Sequence, residues 1–152
     1  MTNFFNNYFF MFLAVLTGVA MATQATVNSK LAGYVESPVS AGFISFAVGT
    51  VALFVLMLLT GVPLNTLVLS KNAPPITWIG GFLGAFFVLI MASAVPRIGV
   101  ALAFSLAIAG QMLTALTIDH LGWLGAPEKP LNLWRIFGAV LIMCGVILIR
   151  KF

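Results

Sequence analysis

Residues 76–118 read ITWIGGFLGAFFVLIMASAVPRIGVALAFSLAIAGQMLTALTI. Two apolar runs, 76–95 and 100–118, are parted only by Pro96, Arg97, Ile98 and Gly99. A helix needs about 20 apolar residues to cross roughly 30 Å of hydrocarbon, so each run is one membrane crossing and the break between them is a very tight connection. Upstream, Lys71, Asn72, Ala73, Pro74 and Pro75 precede the first of these runs. Before them, Pro38 opens a span at 39–59 that closes at Thr60, Gly61, Val62 and Pro63. The first span covers about 9–26 and is predicted to end at the polar cluster Asn28, Ser29, Lys30. Downstream, Asp119 and His120 stop the fourth span, and a polar loop carrying Pro127, Glu128, Lys129 and Pro130 leads to the fifth, about 133–149, anchored by Arg150 and Lys151.

Composition agrees with the spans. Of 152 residues, 62% are hydrophobic and 7% charged, with a mean hydropathy of +1.16; soluble domains are roughly a quarter charged. The chain is predicted to be an all-α integral membrane protein, a single five-helix membrane domain over residues 1–152 with no soluble domain left over. All ten Asp, Glu, Lys and Arg residues fall at span ends, as they should when a charge at a helix centre costs about 3 kcal/mol. Trp78, Trp123, Trp134, Tyr8 and Tyr34 also lie near span ends, where amphipathic rings prefer the headgroup level. A competing reading makes residues 9–22 a signal peptide, with Ala20, Met21, Ala22 as its small-residue cleavage site. The absence of Lys or Arg before the apolar run and the four spans that follow count against it.

The net charge of +4 comes from basic residues scattered over span ends, so its expected partner is anionic lipid rather than nucleic acid. One cysteine, Cys144, excludes an internal disulfide and a Cys-based metal site. No acid or histidine cluster, phosphate loop or nucleophile with a nearby base points to an enzyme, a metal or a cofactor.

With five spans the termini lie on opposite sides. The N-terminal side then holds Lys71, Lys129 and Arg135, and the other holds Lys30, Arg97, Arg150 and Lys151. Lys and Arg imbalance sets insertion orientation, and here it is almost nil. Dual topology is therefore expected, with copies inserted both ways and paired head to tail. The alternative is one orientation weakly set by Arg150 and Lys151 or by the first segment to insert.

Small residues recur at four-residue spacing: Ala14, Gly18, Ala22; Ala41, Ser45, Gly49; Gly80, Gly84; Ala101, Ser105, Ala109. Such faces let helices pack closely in lipid, and a tight bundle is expected. Gly138 and Gly145 groove the last span, for a partner subunit or for packing within the chain. Among polar side chains, Thr17, Gln24 and Asn28 share one stripe of the first span. Gln111 and Thr114 share another on the fourth, with Thr117 close by. These amides are either interhelical glue or the lining of a polar crevice. No carboxylate sits at a span centre, which counts against proton-for-cation exchange. Asp119 lies at a helix C-terminus where the macrodipole disfavours negative charge; it reads first as a solvated helix-stop residue, and alternatively as one paired with a base such as Lys71 or Arg135. His120, beside Asp119, is a lone interfacial histidine.

Several stretches together resemble a known family: Gln24 with VNSKL at 27–31 and Gly33; Ser37, Pro38 with Ser45, Phe46, Val48, Gly49, Thr50; GGFLGAF at 80–86; PRIG at 96–99; Gly110, Gln111; and IDHLG at 118–122. Over residues 20–145 the chain is similar to the YdcZ-like family, small bacterial inner-membrane proteins of the drug/metabolite transporter superfamily described as exporters. The resemblance implies five spans and an inner-membrane location. It also implies a family whose single-copy members act as antiparallel dimers, while paired genes and tandem fusions supply two oppositely inserted halves. It supplies no substrate. The first-helix carboxylate of the superfamily's small multidrug exporters is missing here, so their exchange mechanism does not carry over.

The resulting expectation is a secondary transporter subunit working as an antiparallel dimer. Gln24, Asn28, Ser45, Gln111 and Thr114 would line the path of a small polar or weakly charged solute, and Lys30, Arg97, Asp119 and His120 would act at its mouths. The alternatives are a non-transporting assembly partner and one half of a heterodimer with a related chain.

Overall fold

The computed structural model describes residues 2–152, with side chains from residue 8 onward. Six helices follow one another: α1 (Thr2–Tyr34), α2 (Pro38–Leu59), α3 (Asn65–Leu69), α4 (Ile79–Ile98), α5 (Val100–Leu121) and α6 (Leu133–Lys151). Five segments are long and apolar enough to cross a membrane: Tyr8–Tyr34, Pro38–Leu59, Pro75–Ile98, Val100–Leu121 and Leu133–Lys151. They match the five predicted spans. The short α3 and a 3-10 turn, Ser70–Asn72, occupy the connection between the second and third of them, and a second 3-10 turn, Pro75–Trp78, opens the third.

The ends differ from the sequence reading in instructive ways. The first helix does not stop at Asn28, Ser29 and Lys30 but continues to Tyr34. Those residues are polar yet none is a helix breaker, and Asn28 is buried beside Ala25 and Ala32 on one face. The break comes where backbone chemistry requires it. Ser37 is extended (φ −155°, ψ 115°), as the residue before a proline prefers to be. Its side chain accepts the Ser40 N–H at 3.2 Å, and Pro38 takes the first helical position, where no N–H is needed. At the other junction α4 runs through Pro96 to Ile98. A proline in the last turn forfeits one hydrogen bond without ending the helix. The stop is Gly99, at φ 81° and ψ 158°.

The chain divides into two compact units, Met1–Arg97 and Ile98–Phe152. In the first, α1 packs on α2, and α4 meets α2 where small residues leave room. A methyl group at Gly84 would lie 3.5 Å from the Phe46 ring, and one at Gly42 would lie 3.7 Å from Val88. The buried apolar residues of these helices are Ala25, Ala32, Ala41, Val88, Met91, Ala92 and Val95. In the second unit α5 packs on α6, with Ala103, Ala109 and Val146 buried.

The expected small-residue faces are used only in part. Beside Gly18, Gly49, Gly80, Gly138 and Gly145 an added methyl would meet nothing within 4 Å, whereas Gly84 is covered. On α1 the buried residues are Ala25, Asn28 and Ala32, so its contact lies in the C-terminal half and leaves the Ala14, Gly18 stretch open. The outward positions of α2, among them Val48, Val51 and Leu53, are large, apolar and exposed. Such a surface is stable against hydrocarbon, and in water it would be an association site.

Candidate functional site

In the first unit the polar stripe of α1 resolves into two environments. Residues four apart differ by about 40° around a helix. Asn28 falls on the packed face with only 5% of its surface exposed, while Gln24, at the flank of that face, is exposed. Asn28 makes no side-chain hydrogen bond to any described residue, yet no buried side-chain polar atom is sealed off without a partner. Its amide therefore opens onto free space from an otherwise buried side chain. Ser45, half-buried, stands one turn beyond the fully buried Ala41 on α2. Thr17 donates its hydroxyl hydrogen to the Leu13 carbonyl at 3.0 Å, so it bonds its own helix. Lys30 is exposed. Arg97 is exposed too, and its guanidinium donates to the Ser93 carbonyl.

In the second unit Gln111 and Thr114 are both exposed on α5. Thr114 donates to the Gly110 carbonyl at 2.9 Å and Thr117 to the Leu113 carbonyl at 3.0 Å. Gln111 makes no side-chain hydrogen bond to a described residue. Among the described residues, Gln24, Asn28 and Gln111 thus make no side-chain hydrogen bond.

The better-built polar cluster of this unit is at the α5–α6 connection. Asp119, in the last turn of α5, pairs with Arg135, in the first turn of α6. Each charge alone sits at the end of a helix dipole that disfavours it, so the pair offsets both penalties. Of the two bases named in the paired reading of Asp119, Arg135 is the one supplied. Arg135 also donates to the Lys129 carbonyl at 2.7 Å, and Lys129 N–H donates to the Asp119 carbonyl at 2.7 Å. His120 Nδ1 accepts the Leu131 N–H at 3.4 Å, and Asn132 caps α6 by accepting the Arg135 N–H at 2.9 Å. Gly122, left-handed at φ 61°, ends α5 where a Cβ would fall 2.7 Å from the Glu128 side chain.

Asp119 and Arg135 therefore hold a loop. The pair is roughly a third exposed, at 27% and 32% of the side-chain surfaces. Asp119→Asn and Arg135→Gln are each expected to destabilise the protein by about 1–3 kcal/mol. Because the first change already orphans the second partner, the double variant should lose much less than the sum. Thermal unfolding of the four proteins in one detergent measures this, and strictly additive losses would reject the coupling.

Sequence reading missed a second polar locus. Ser29, Glu36 and Ser93 share the lining of a cleft with Arg97, all within the first unit. The signal was faint, a single acid before a Ser-Pro helix start. Among the described residues no group of three or more His, Cys, Asp or Glu could hold a metal ion.

No curated protein and no solved structure matches the chain. The family model described as "Putative inner membrane exporter, YdcZ" matches residues 9–148, five span-capable helices included, and the chain belongs to that family of inner-membrane proteins.

Proposed function

We propose that the chain is one subunit of a secondary transporter that moves a small polar or weakly charged solute by alternating access across an antiparallel dimer. The observation that carries this reading is Asn28: only 5% of the residue is exposed, and its amide, without a hydrogen-bond partner among the described residues, keeps its polar atoms accessible. An accessible amide with no protein partner is free to bond another polar group. In a family of exporters, a transported solute is a natural bonding partner. Gln24, Asn28 and Ser45 are the solute-facing groups that the first unit contributes, and Gln111 and Thr114 those of the second. Lys30, Arg97, Asp119 and His120 stand toward the ends of the path. Opposed copies rocking about a site near the midplane would exchange inward for outward access.

Support for the antiparallel arrangement comes from the basic residues, three against four, which give the insertion machinery almost no preference. Fusing the C-terminus to a reporter active only in the cytoplasm, and separately to one active only outside it, is expected to give substantial signal from both. Adding two lysines beside Lys71 should shift that balance several-fold toward one orientation. Signal from a single compartment in the unaltered protein would overturn the antiparallel dimer of identical chains, and opposite insertion of a related chain would assign the heterodimer.

A further inference from the structure

At one end of the first unit, Ser29 and Gly33 on α1, Glu36 in the turn to α2, and Ser93, Pro96 and Arg97 on α4 line a cleft of about 450 Å³. Its two charged residues are of opposite sign. Among the described residues they form no salt bridge with each other or with anything else. Arg97 uses one guanidinium nitrogen on the Ser93 carbonyl, which fixes the side chain against the wall and leaves the other donors of its planar fork available. Ser93 turns its hydroxyl hydrogen to the Leu89 carbonyl at 2.9 Å, so toward the cleft it can only accept. The Ser29 side chain has no hydrogen bond to any described residue.

Glu36 holds the turn at φ 53°, a left-handed conformation that glycine adopts freely and a glutamate does not. A carboxylate therefore stands where the backbone alone would favour glycine. The same cleft is lined by a guanidinium with which it forms no ion pair. A lone cation would satisfy Glu36 and be repelled by Arg97, and a lone anion the reverse. A molecule carrying both charges satisfies both, in a cleft whose volume lies within the range of small-molecule sites.

We propose that this cleft binds a small zwitterionic group, its ammonium against the Glu36 carboxylate and its anionic end against the Arg97 guanidinium. Two sources carry that chemistry: a free zwitterion in solution, and the headgroup of phosphatidylethanolamine at the membrane surface. The site does not depend on the transport reading, because its readout is binding.

The test uses the full chain in lipid nanodiscs. In discs of phosphatidylglycerol alone, O-phosphoethanolamine is titrated and the melting temperature followed. In a second arm, discs with and without phosphatidylethanolamine are compared. A saturable rise in melting temperature is expected in at least one arm. Ethanolamine and inorganic phosphate, each offering one charge, should bind at least about tenfold more weakly than O-phosphoethanolamine if the free compound binds. E36Q and R97Q should each weaken the response by about tenfold or more. E36G separates site from fold: it relieves the left-handed backbone, so it should melt at or above the unaltered protein while losing the ligand response. A response to the free compound assigns the site to a solute, and a response to the lipid alone assigns it to a headgroup. No response in either arm, or a response that survives both E36Q and R97Q, overturns the proposal.

Discussion

Gly99→Ala is expected to lower the stability of the purified protein by about 1–3 kcal/mol, a large loss for a single added methyl group. The cause is entirely in the backbone. Gly99 sits at φ 81° and ψ 158°, a region that residues with a Cβ scarcely populate. Around it there is room, since an added Cβ would meet nothing within 4 Å; steric relief by neighbours is therefore not available as an escape. Nor can the strain spread, because α4 ends at Ile98 and α5 begins at Val100. The Gly99 carbonyl also accepts the Ala103 N–H at 3.1 Å, so any rotation that eases φ disturbs the first hydrogen bond of α5. Gly81→Ala is the matched control. Gly81 is helical, exposed and without a neighbour in reach of a Cβ, and alanine is the better helix former by up to about 1 kcal/mol. Gly81→Ala should therefore be neutral or stabilising. If the two variants melt alike, the connection tolerates a side chain and Gly99 has no special role.

That junction was legible in the sequence because it is a one-dimensional property: two runs of span length with four residues between them. The ion pair was legible only as the second of two readings, behind a solvated helix-stop residue. A carboxylate at a helix C-terminus is electrostatically misplaced, and the misplacement itself calls for a cation nearby; Arg135 met the requirement from an equally misplaced position at the start of α6. Other features had no such signature. The polar trio Asn28, Ser29, Lys30 looked like a terminus because polarity usually marks the membrane boundary. The helix nevertheless continued to Tyr34, since helices end at backbone breakers and this stretch has none. Small-residue spacing identified faces able to pack, but lipid gives no hydrophobic reason to prefer one over another. Hence Gly84 is covered and Gly18, Gly49 and Gly80 are open. Glu36 carried only a faint pattern, a single acid before a Ser-Pro helix start. Its interest lies in a dihedral angle and in the cleft that α1 and α4 enclose with it, neither of which is written along the chain.

On the transport reading proposed above, Asn28→Leu is expected to cut the response of the protein to its solute by up to about tenfold while leaving its fold as stable as before. The two halves of that result exclude different alternatives. If the amide tied helices together, its loss would remove a hydrogen bond worth about 0.6 kcal/mol on average between membrane helices and would weaken their packing. Within the protomer it ties nothing, since Asn28 has no side-chain partner among the described residues. Replacing an amide that has no protein partner by an apolar group of similar size breaks no hydrogen bond and leaves no polar group orphaned, so the melting temperature without solute should hold. A hydrogen bond from solute to amide is worth about 0.5–1.5 kcal/mol net. Its loss should cut solute affinity by up to about tenfold, with a comparable or larger fall in flux in proteoliposomes. Gln24→Leu, at an exposed flank of the same stripe, should show a smaller effect in the same direction. The measurement begins with a thermal-shift screen against metabolites and antiseptic cations to find a stabilising solute, followed by the same titration on each variant. Should Asn28→Leu instead fall apart into monomers and melt early, the amide serves assembly across subunits, and the case for a solute path through α1 falls with it.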